Sequence, residues 1–128
     1  MNILIIEDEP WAAKDLRNLI LKLEPSANIV DVLSSVQASK KWFVDHAPLH
    51  LIFSDIQLSD GISFEIFENV KVPCPIIFTT AYDDYAIRAF KLNSIDYLLK
   101  PVDEKELTTA LQKYKSLTQG ISAGEELR

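Results

Sequence analysis

With 128 residues, 48% hydrophobic and 25% charged, the chain has the size and balance of one globular domain. A domain of this size buries roughly two-thirds of its unfolded surface and needs no disulfide scaffold. The formal net charge of −6 repels a phosphate backbone, so DNA contact is expected only through another domain. One cysteine, Cys74, excludes an internal disulfide, and no segment approaches the roughly 18 apolar residues of a membrane span; a soluble cytoplasmic protein with no membrane partner is expected.

Ile3-Leu4-Ile5-Ile6 is a continuous apolar run of the kind required by a strand covered on both faces. It is too short for a signal peptide and has no basic leader. Pro10 fits a first helical turn; Ala12, Leu16, Leu19, Ile20 and Leu23 follow at helical spacing, and Pro25 closes the segment. Ile29 to Leu33 predicts a second strand and Ser35 to Asp45 a helix presenting Val36, Trp42 or Phe43, and Val44. Leu49 to Phe53 is a third strand, ending at Ser54-Asp55; a loop with Asp60-Gly61 then enters a short helix bearing Phe64, Ile66, Phe67 and Val70. Pro75 to Thr79 is the fourth strand, Asp83 to Leu92 the fourth helix, and Asp96 to Lys100 the fifth strand. A last helix from about Asp103 carries Leu107, Ala110, Leu111, Tyr114 and Leu117 on one stripe, with residues 119–128 a frayed tail or the start of a linker to an output domain, leaving 1–118 as the domain.

Five strands alternating with five helices predict an α/β fold: a doubly wound five-stranded parallel sheet, flavodoxin-like, in the order 2-1-3-4-5. Ligands of such sheets bind beyond the carboxyl ends of the strands. Those ends carry Glu7, Asp8 and Glu9 after the first strand, Asp55 after the third, Thr79 and Thr80 after the fourth, and Lys100-Pro101 after the fifth.

Two or three carboxylates placed together cannot all stay ionised without a cation. Hard oxygen donors suit Mg²⁺, with Asp8 and Asp55 as direct ligands and Glu7 acting through water. A metal-neutralised carboxylate is a usable nucleophile toward phosphorus. Phosphoryl transfer asks mainly for positioning and charge neutralisation: Mg²⁺ can take one phosphoryl oxygen, the Lys100 ammonium a second and the Thr80 hydroxyl a third. Singly, each residue has a plainer role. An acid after a strand, such as Glu9 or Asp60, is often a helix cap; a Lys before Pro is usually a solvated loop residue. Joint placement at four strand ends is what points to chemistry.

Ile-Ile-Glu-Asp-Glu-Pro (5–10), Ile-Phe-Ser-Asp-Ile-Gln-Leu-Ser-Asp-Gly (52–61), Phe-Thr-Thr-Ala-Tyr (78–82) and Asp-Tyr-Leu-Leu-Lys-Pro (96–101) resemble the signature blocks of response regulator receiver domains, the CheY-like superfamily. The wording around Ala81-Tyr82-Asp83-Asp84-Tyr85 is most similar to receivers that precede LytTR-type DNA-binding domains. The resemblance implies Asp55 as phosphoacceptor, Glu7 and Asp8 as the acidic metal pair for Mg²⁺, and the Gln57 backbone carbonyl as a further ligand. It implies Thr80 as switch hydroxyl, Lys100 as phosphoryl-sensing lysine, Tyr97 as switch aromatic and a cis bond before Pro101. The implied partners are a sensor histidine kinase, an output domain or partner protein reading the face of the fourth helix, fifth strand and fifth helix, and a second copy on phosphorylation. One departure is Ser59, where the family usually has proline, which is expected to loosen that turn.

Other assignments fit less well. A flavin-phosphate site would not tolerate Glu7-Asp8-Glu9, and an aspartyl-phosphate phosphatase would want an acid at Gln57. A receiver-shaped scaffold that is never phosphorylated has no need of a charged pocket that costs stability. His46 and His50 are separated by Pro48, which breaks any helix that would pair them on a metal. Cys74, between Pro73 and Pro75, is expected to be a quiet structural thiol.

Overall fold

A computed structural model of the chain describes residues 1–43, 48–72, 74–81 and 94–126, the last eight by backbone alone. Its elements are β1 (Asn2–Ile6), α1 (Pro10–Leu23), β2 (Asn28–Leu33), α2 (Val36–Trp42), β3 (Leu51–Asp55), β4 (Gln57–Leu58), β5 (Gly61–Ile62), α3 (Phe64–Asn69), β6 (Ile76–Thr80), β7 (Ser94–Leu99) and α4 (Glu104–Glu126). The main sheet is parallel, in the order β2-β1-β3-β6-β7. Counted by its own strands this is the expected 2-1-3-4-5. The helix predicted over Asp83–Leu92 and the residue His46 lie outside the described residues.

The apolar strand runs are explained by burial on both faces. Ile3 and Ile5 of β1, with Leu51 and Phe53 of β3, pack against Leu16 and Ile20 of α1 and Leu107 and Leu111 of α4. Leu4, Ile6 and Ile52 point the other way, onto Val36 and Trp42 of α2 and Phe64 and Ile66 of α3. The choice between Trp42 and Phe43 resolves cleanly. Trp42 is buried and its indole N–H donates to Asp31 at 3.1 Å, while Phe43 packs edge-on between Trp42 and Phe67. Cys74 is buried, and burial pushes its thiol up to about 12, which bears out the inert role.

Boundaries moved in several places. β3 begins at Leu51 instead of Leu49, because the His50 amide already donates to the Asn2 carbonyl (3.0 Å) and His50 Nδ1 accepts from the Asn2 amide (2.9 Å). α2 ends at Trp42, short of Asp45. α4 does not stop near Leu117 but stays helical to Glu126, through Gly120 and Gly124, where a frayed tail was expected. Asp103 starts it, its carboxylate accepting from the Glu106 amide.

The segment after Asp55, expected as a loop, contains a short hairpin, β4 pairing antiparallel with β5 across Ser59-Asp60. Gly61 closes it at φ +150°, a conformation closed to ordinary side chains. The Asp60 carboxylate then reaches α2, accepting from the Val36 amide at 2.8 Å and the Gln37 amide at 3.1 Å. Asp60 is thus a helix cap, but of α2, 24 residues earlier. Ser35 Oγ satisfies the next orphan amide, Ala38, at 3.0 Å. Those backbone hydrogen bonds hold the Asp60 carboxyl below its usual range. A depressed folded-state value contributes stability above the unfolded value and loses it as pH falls through the folded one. Asp60→Ala should therefore lower the melting temperature by roughly 3–5 °C at neutral pH. In thermal scans the gap to the native chain should close under acid; a gap that persists at pH 2 would show the loss is not the cap.

Candidate functional site

Parallel register brings the strand ends level. Ile6 sits opposite Ser54, Asp55 opposite Thr79, and Thr80 opposite Leu99. The residues that follow, Glu7, Asp8 and Lys100, are carried to one edge. The backbone locks them there: the Glu7 amide donates to the Leu33 carbonyl (2.8 Å), Ile56 to Thr79 (3.0 Å), and Lys100 to Thr80 (2.7 Å). The Lys100–Pro101 bond is cis.

Glu7 is 4% exposed and Asp55 6%, while Asp8 is half-buried. One carboxylate oxygen from each can be chosen so that all three lie within 4.8 Å of one another. Lys100 Nζ bridges two of them, 2.5 Å from Glu7 Oε1 and 2.9 Å from Asp55 Oδ2. Glu7 Oε2 also accepts from the Glu9 amide (3.1 Å) and Asp55 Oδ1 from the Gln57 amide (3.3 Å). Glu9 stands at the N-cap of α1 without a side-chain bond to it, so the capping role an acid there suggests does not fall to its carboxylate.

Electrostatics say what the trio lacks. Burial raises Glu7 to about 7, helped by the neighbouring Asp55 charge; the Lys100 and Glu9 hydrogen bonds pull it down without winning. Burial opposes charge on Lys100 as well, but its two carboxylate partners prevail and hold it above the ordinary lysine value. Three acids against one lysine leave excess negative charge in a poorly solvated pocket. A small hard divalent cation is the natural complement, and the all-oxygen donor set fits Mg²⁺ better than a softer metal.

Thr80 is fully buried at the end of β6, and Thr79 beside it is 2% exposed. Tyr97 on β7 is partly buried against the cluster that contains Phe78 and Ile52. It also lines a hollow of about 360 Å³ with Asp96, Leu99, Lys105, Thr109 and Lys113, between β7 and α4. Pro101, Glu7 and Lys100 line a second cavity, on the α1 side of the edge. Every residue expected at the site therefore lies in the described structure. Glu7, Asp8, Asp55 and Lys100 are brought into one cluster, with Gln57 tied to it by its amide and Thr80 by its carbonyl; Tyr97 stands apart on the β7 flank. Asp15 and Trp11 also border the second cavity; on sequence they look like solvated positions of an amphipathic helix.

Residues 3–112 match the family model described as the response regulator receiver domain. Among curated proteins the chain is 35% identical over 132 residues to the sensory transduction protein LytT of Bacillus anthracis, covering 100% of this chain and 53% of that protein. It is 33% identical to the transcriptional regulatory protein LytR of Staphylococcus aureus strain N315, covering 91% of this chain and 48% of that one. The chain thus spans about half the length of these relatives. Among solved structures it is similar to the response regulatory domain of mrkE from Klebsiella pneumoniae (TM-score 0.79, 31% identity, 94% of this chain and 99% of that one). The signal receiver domain of a Luxo repressor protein from Vibrio parahaemolyticus shares the fold at TM-score 0.78 and 21% identity, covering 95% of each chain. Among the described residues no helix is long and apolar enough to cross a membrane.

Proposed function

This chain belongs to the response regulator receiver domain family, and from that premise we propose that it accepts a phosphoryl group from a sensor histidine kinase on Asp55. The observation that carries the proposal is the Asp55 carboxylate itself. It is buried at a strand end, grouped with two more acids and hydrogen-bonded to Lys100. Glu7, Asp8, Asp55 and the Gln57 backbone carbonyl would hold Mg²⁺, which supplies charge neutralisation on the transferring group. Asp55 is the nucleophile, and Lys100 neutralises charge that arrives with the phosphoryl oxygens. Thr80 donates its hydroxyl to one of those oxygens, and Tyr97 follows by repositioning its ring. Partners then read the flank of β7 and α4; the expected fourth helix of that face, Asp83–Leu92, lies outside the described residues. The output is a transcriptional one of the LytTR type, supplied by a DNA-binding domain beyond this chain, with pairing of two phosphorylated copies; a cytoplasmic site of action follows from these partners.

The test separates this function from a receiver-shaped scaffold. Beryllofluoride with Mg²⁺ mimics the aspartyl phosphate and should shift backbone resonances at Asp55, Thr80 and Lys100. A spectrum that does not respond would leave only the scaffold.

The metal assignment has its own check. Because Mg²⁺ uses very few protein carboxylates, Asp8→Ala should weaken Mg²⁺ binding by about tenfold or more, the scale of losing one ligand or its support. Glu9→Ala, whose carboxylate lies outside the acidic trio, should have little effect. Equal losses in a Mg²⁺ titration followed by Trp11 fluorescence would move the site elsewhere.

A further inference from the structure

The hairpin that follows the acceptor is held in place from outside itself. β4 and β5 contribute two residues each, and even a longer isolated hairpin is marginal in water. Its direct tie to the acceptor is a long one: the Gln57 amide stands 3.3 Å from Asp55 Oδ1, just past the usual range for such a bond. Shorter bonds fix it elsewhere. At the base, the Ser63 amide donates to the Ile56 carbonyl at 2.8 Å and fastens the returning strand beside the acceptor. At the tip, the Asp60 carboxylate accepts from the Val36 and Gln37 amides of α2 at 2.8 and 3.1 Å. The tip lies directly on that helix, since a Cβ placed on Gly61 would stand 3.6 Å from Val36 Cγ2. Ser63 stands at the N-cap of α3, yet its buried hydroxyl caps nothing and has no hydrogen-bond partner among the described residues. It therefore gives the hairpin no side-chain anchor, whereas Asp60 does.

We propose that Asp60 is a positioning residue for the divalent cation: its bonds to α2 hold the hairpin so that the Gln57 carbonyl is presented to the acidic trio. The inference rests on Mg²⁺ being held by Glu7, Asp8, Asp55 and the Gln57 carbonyl. The carboxylates are carried by β1 and β3, inside the five-stranded sheet; Gln57 stands on a two-residue strand outside it. Mg²⁺ demands near-ideal octahedral geometry, so a carbonyl free to drift with its hairpin is a poor ligand. Asp60 removes that freedom from three residues away. Coupling of this kind is reciprocal. Whatever factor the Asp60 bonds add to Mg²⁺ affinity, Mg²⁺ adds to the closure of the cap on α2. The start of α2 thereby registers metal at Asp55 by a path that does not pass through Thr80.

The test compares Mg²⁺ titrations of the native chain, Asp60→Ala, Asp60→Asn and Ser35→Ala, each followed by the backbone resonance of Asp55. Each variant loses at most one cap, so all should stay folded. Asp60→Ala should weaken Mg²⁺ binding by roughly tenfold, the lower end of what removing a group that orients a ligand costs. Asp60→Asn loses the same charge but keeps a side-chain oxygen that caps as well as Asp, so it should restore most of the affinity. Ser35→Ala deletes the neighbouring cap of the same helix, Ser35 Oγ on the Ala38 amide, and leaves the hairpin alone. Its Mg²⁺ affinity should stay within about twofold of native, as for independent sites. In the native chain saturating Mg²⁺ should slow hydrogen exchange at the Val36 and Gln37 amides by the same factor of roughly ten; in Asp60→Ala it should not. Native affinity in Asp60→Ala overturns the inference and leaves the metal site standing. So does an equal loss in Asp60→Ala and Asp60→Asn, which would mean that only distant charge is felt. An equal loss in Asp60→Ala and Ser35→Ala overturns it too, because helix stability would then be the cause. A native chain that binds no Mg²⁺ would instead refute the metal site, and this inference with it.

Discussion

An Asp55→Asn variant incubated with acetyl phosphate and Mg²⁺ should show no gain in intact mass, while the native chain gains one phosphoryl group. The substitution is close to isosteric, so the fold should survive it. The amide oxygen can still accept from the Gln57 amide, which lies 3.3 Å from Asp55 Oδ1. What disappears is the anionic oxygen that attacks phosphorus, and an amide has no comparable nucleophilicity. The neighbouring acids are poor substitutes. Glu7 is engaged at both oxygens, by Lys100 and by the Glu9 amide, and its burial favours the uncharged form. Asp8 is only half-buried and does not share the lysine that orients Asp55. A phosphoryl mass found on the variant, mapped to either acid, would sink the assignment of the acceptor.

Much of this site was legible in the sequence because parallel sheets translate chain order into place. A run such as Ile3–Ile6, apolar on both alternations, is the kind a strand covered on both faces requires, and the two buried clusters around β1 bear this out. Once five such strands are parallel, their carboxyl ends share one edge, so Glu7, Asp8, Asp55, Thr80 and Lys100 had to be neighbours. Less accessible were features set by contacts between distant segments. Asp60 looked like the cap of the helix that follows it, yet its partners are Val36 and Gln37, brought near by the stacking of α2 beside α3. The two-residue strands β4 and β5 are too short for any periodicity to announce. Trp11 and Asp15 acquire a shared cavity only when the turn after β7 folds beside α1 and places Pro101 and Val102 opposite them. The near-complete burial of Glu7 against Lys100 follows from packing that no local pattern encodes.

Lys100→Ala is expected to do two separable kinds of damage. The first is to the unphosphorylated domain. Lys100 is the cation that Glu7 and Asp55 share, and its removal leaves two buried carboxylates unpaired. Breaking a fully buried pair costs about 3–5 kcal/mol. With the lysine side chain 24% exposed, a loss of about 2–3 kcal/mol in metal-free stability is the reasonable expectation. Mg²⁺, binding the same acids, should recover much of it, because a ligand of the folded state alone adds stability by mass action. The second is to signalling. A phosphoryl group brings close to two negative charges and three acceptor oxygens, and in Lys100→Ala one of those oxygens meets no counter-charge. Phosphorylation can bias the two conformers only by its differential affinity for them, typically 1–3 kcal/mol, so losing a charge-assisted hydrogen bond of similar size should remove most of the bias. Thr80→Ala provides the contrast. It deletes a hydroxyl and no charge, so labelling and metal-free stability should survive better than in Lys100→Ala, while coupling is still weakened. Backbone NMR of both variants, free and with beryllofluoride and Mg²⁺, reads these effects together. In the native chain the analogue should move Tyr97, Leu99 and Lys105 on the distant flank as well as the pocket. In both variants the flank shifts should shrink, more so in Lys100→Ala. Flank shifts of native size in Lys100→Ala would show that the signal leaves the pocket by another route.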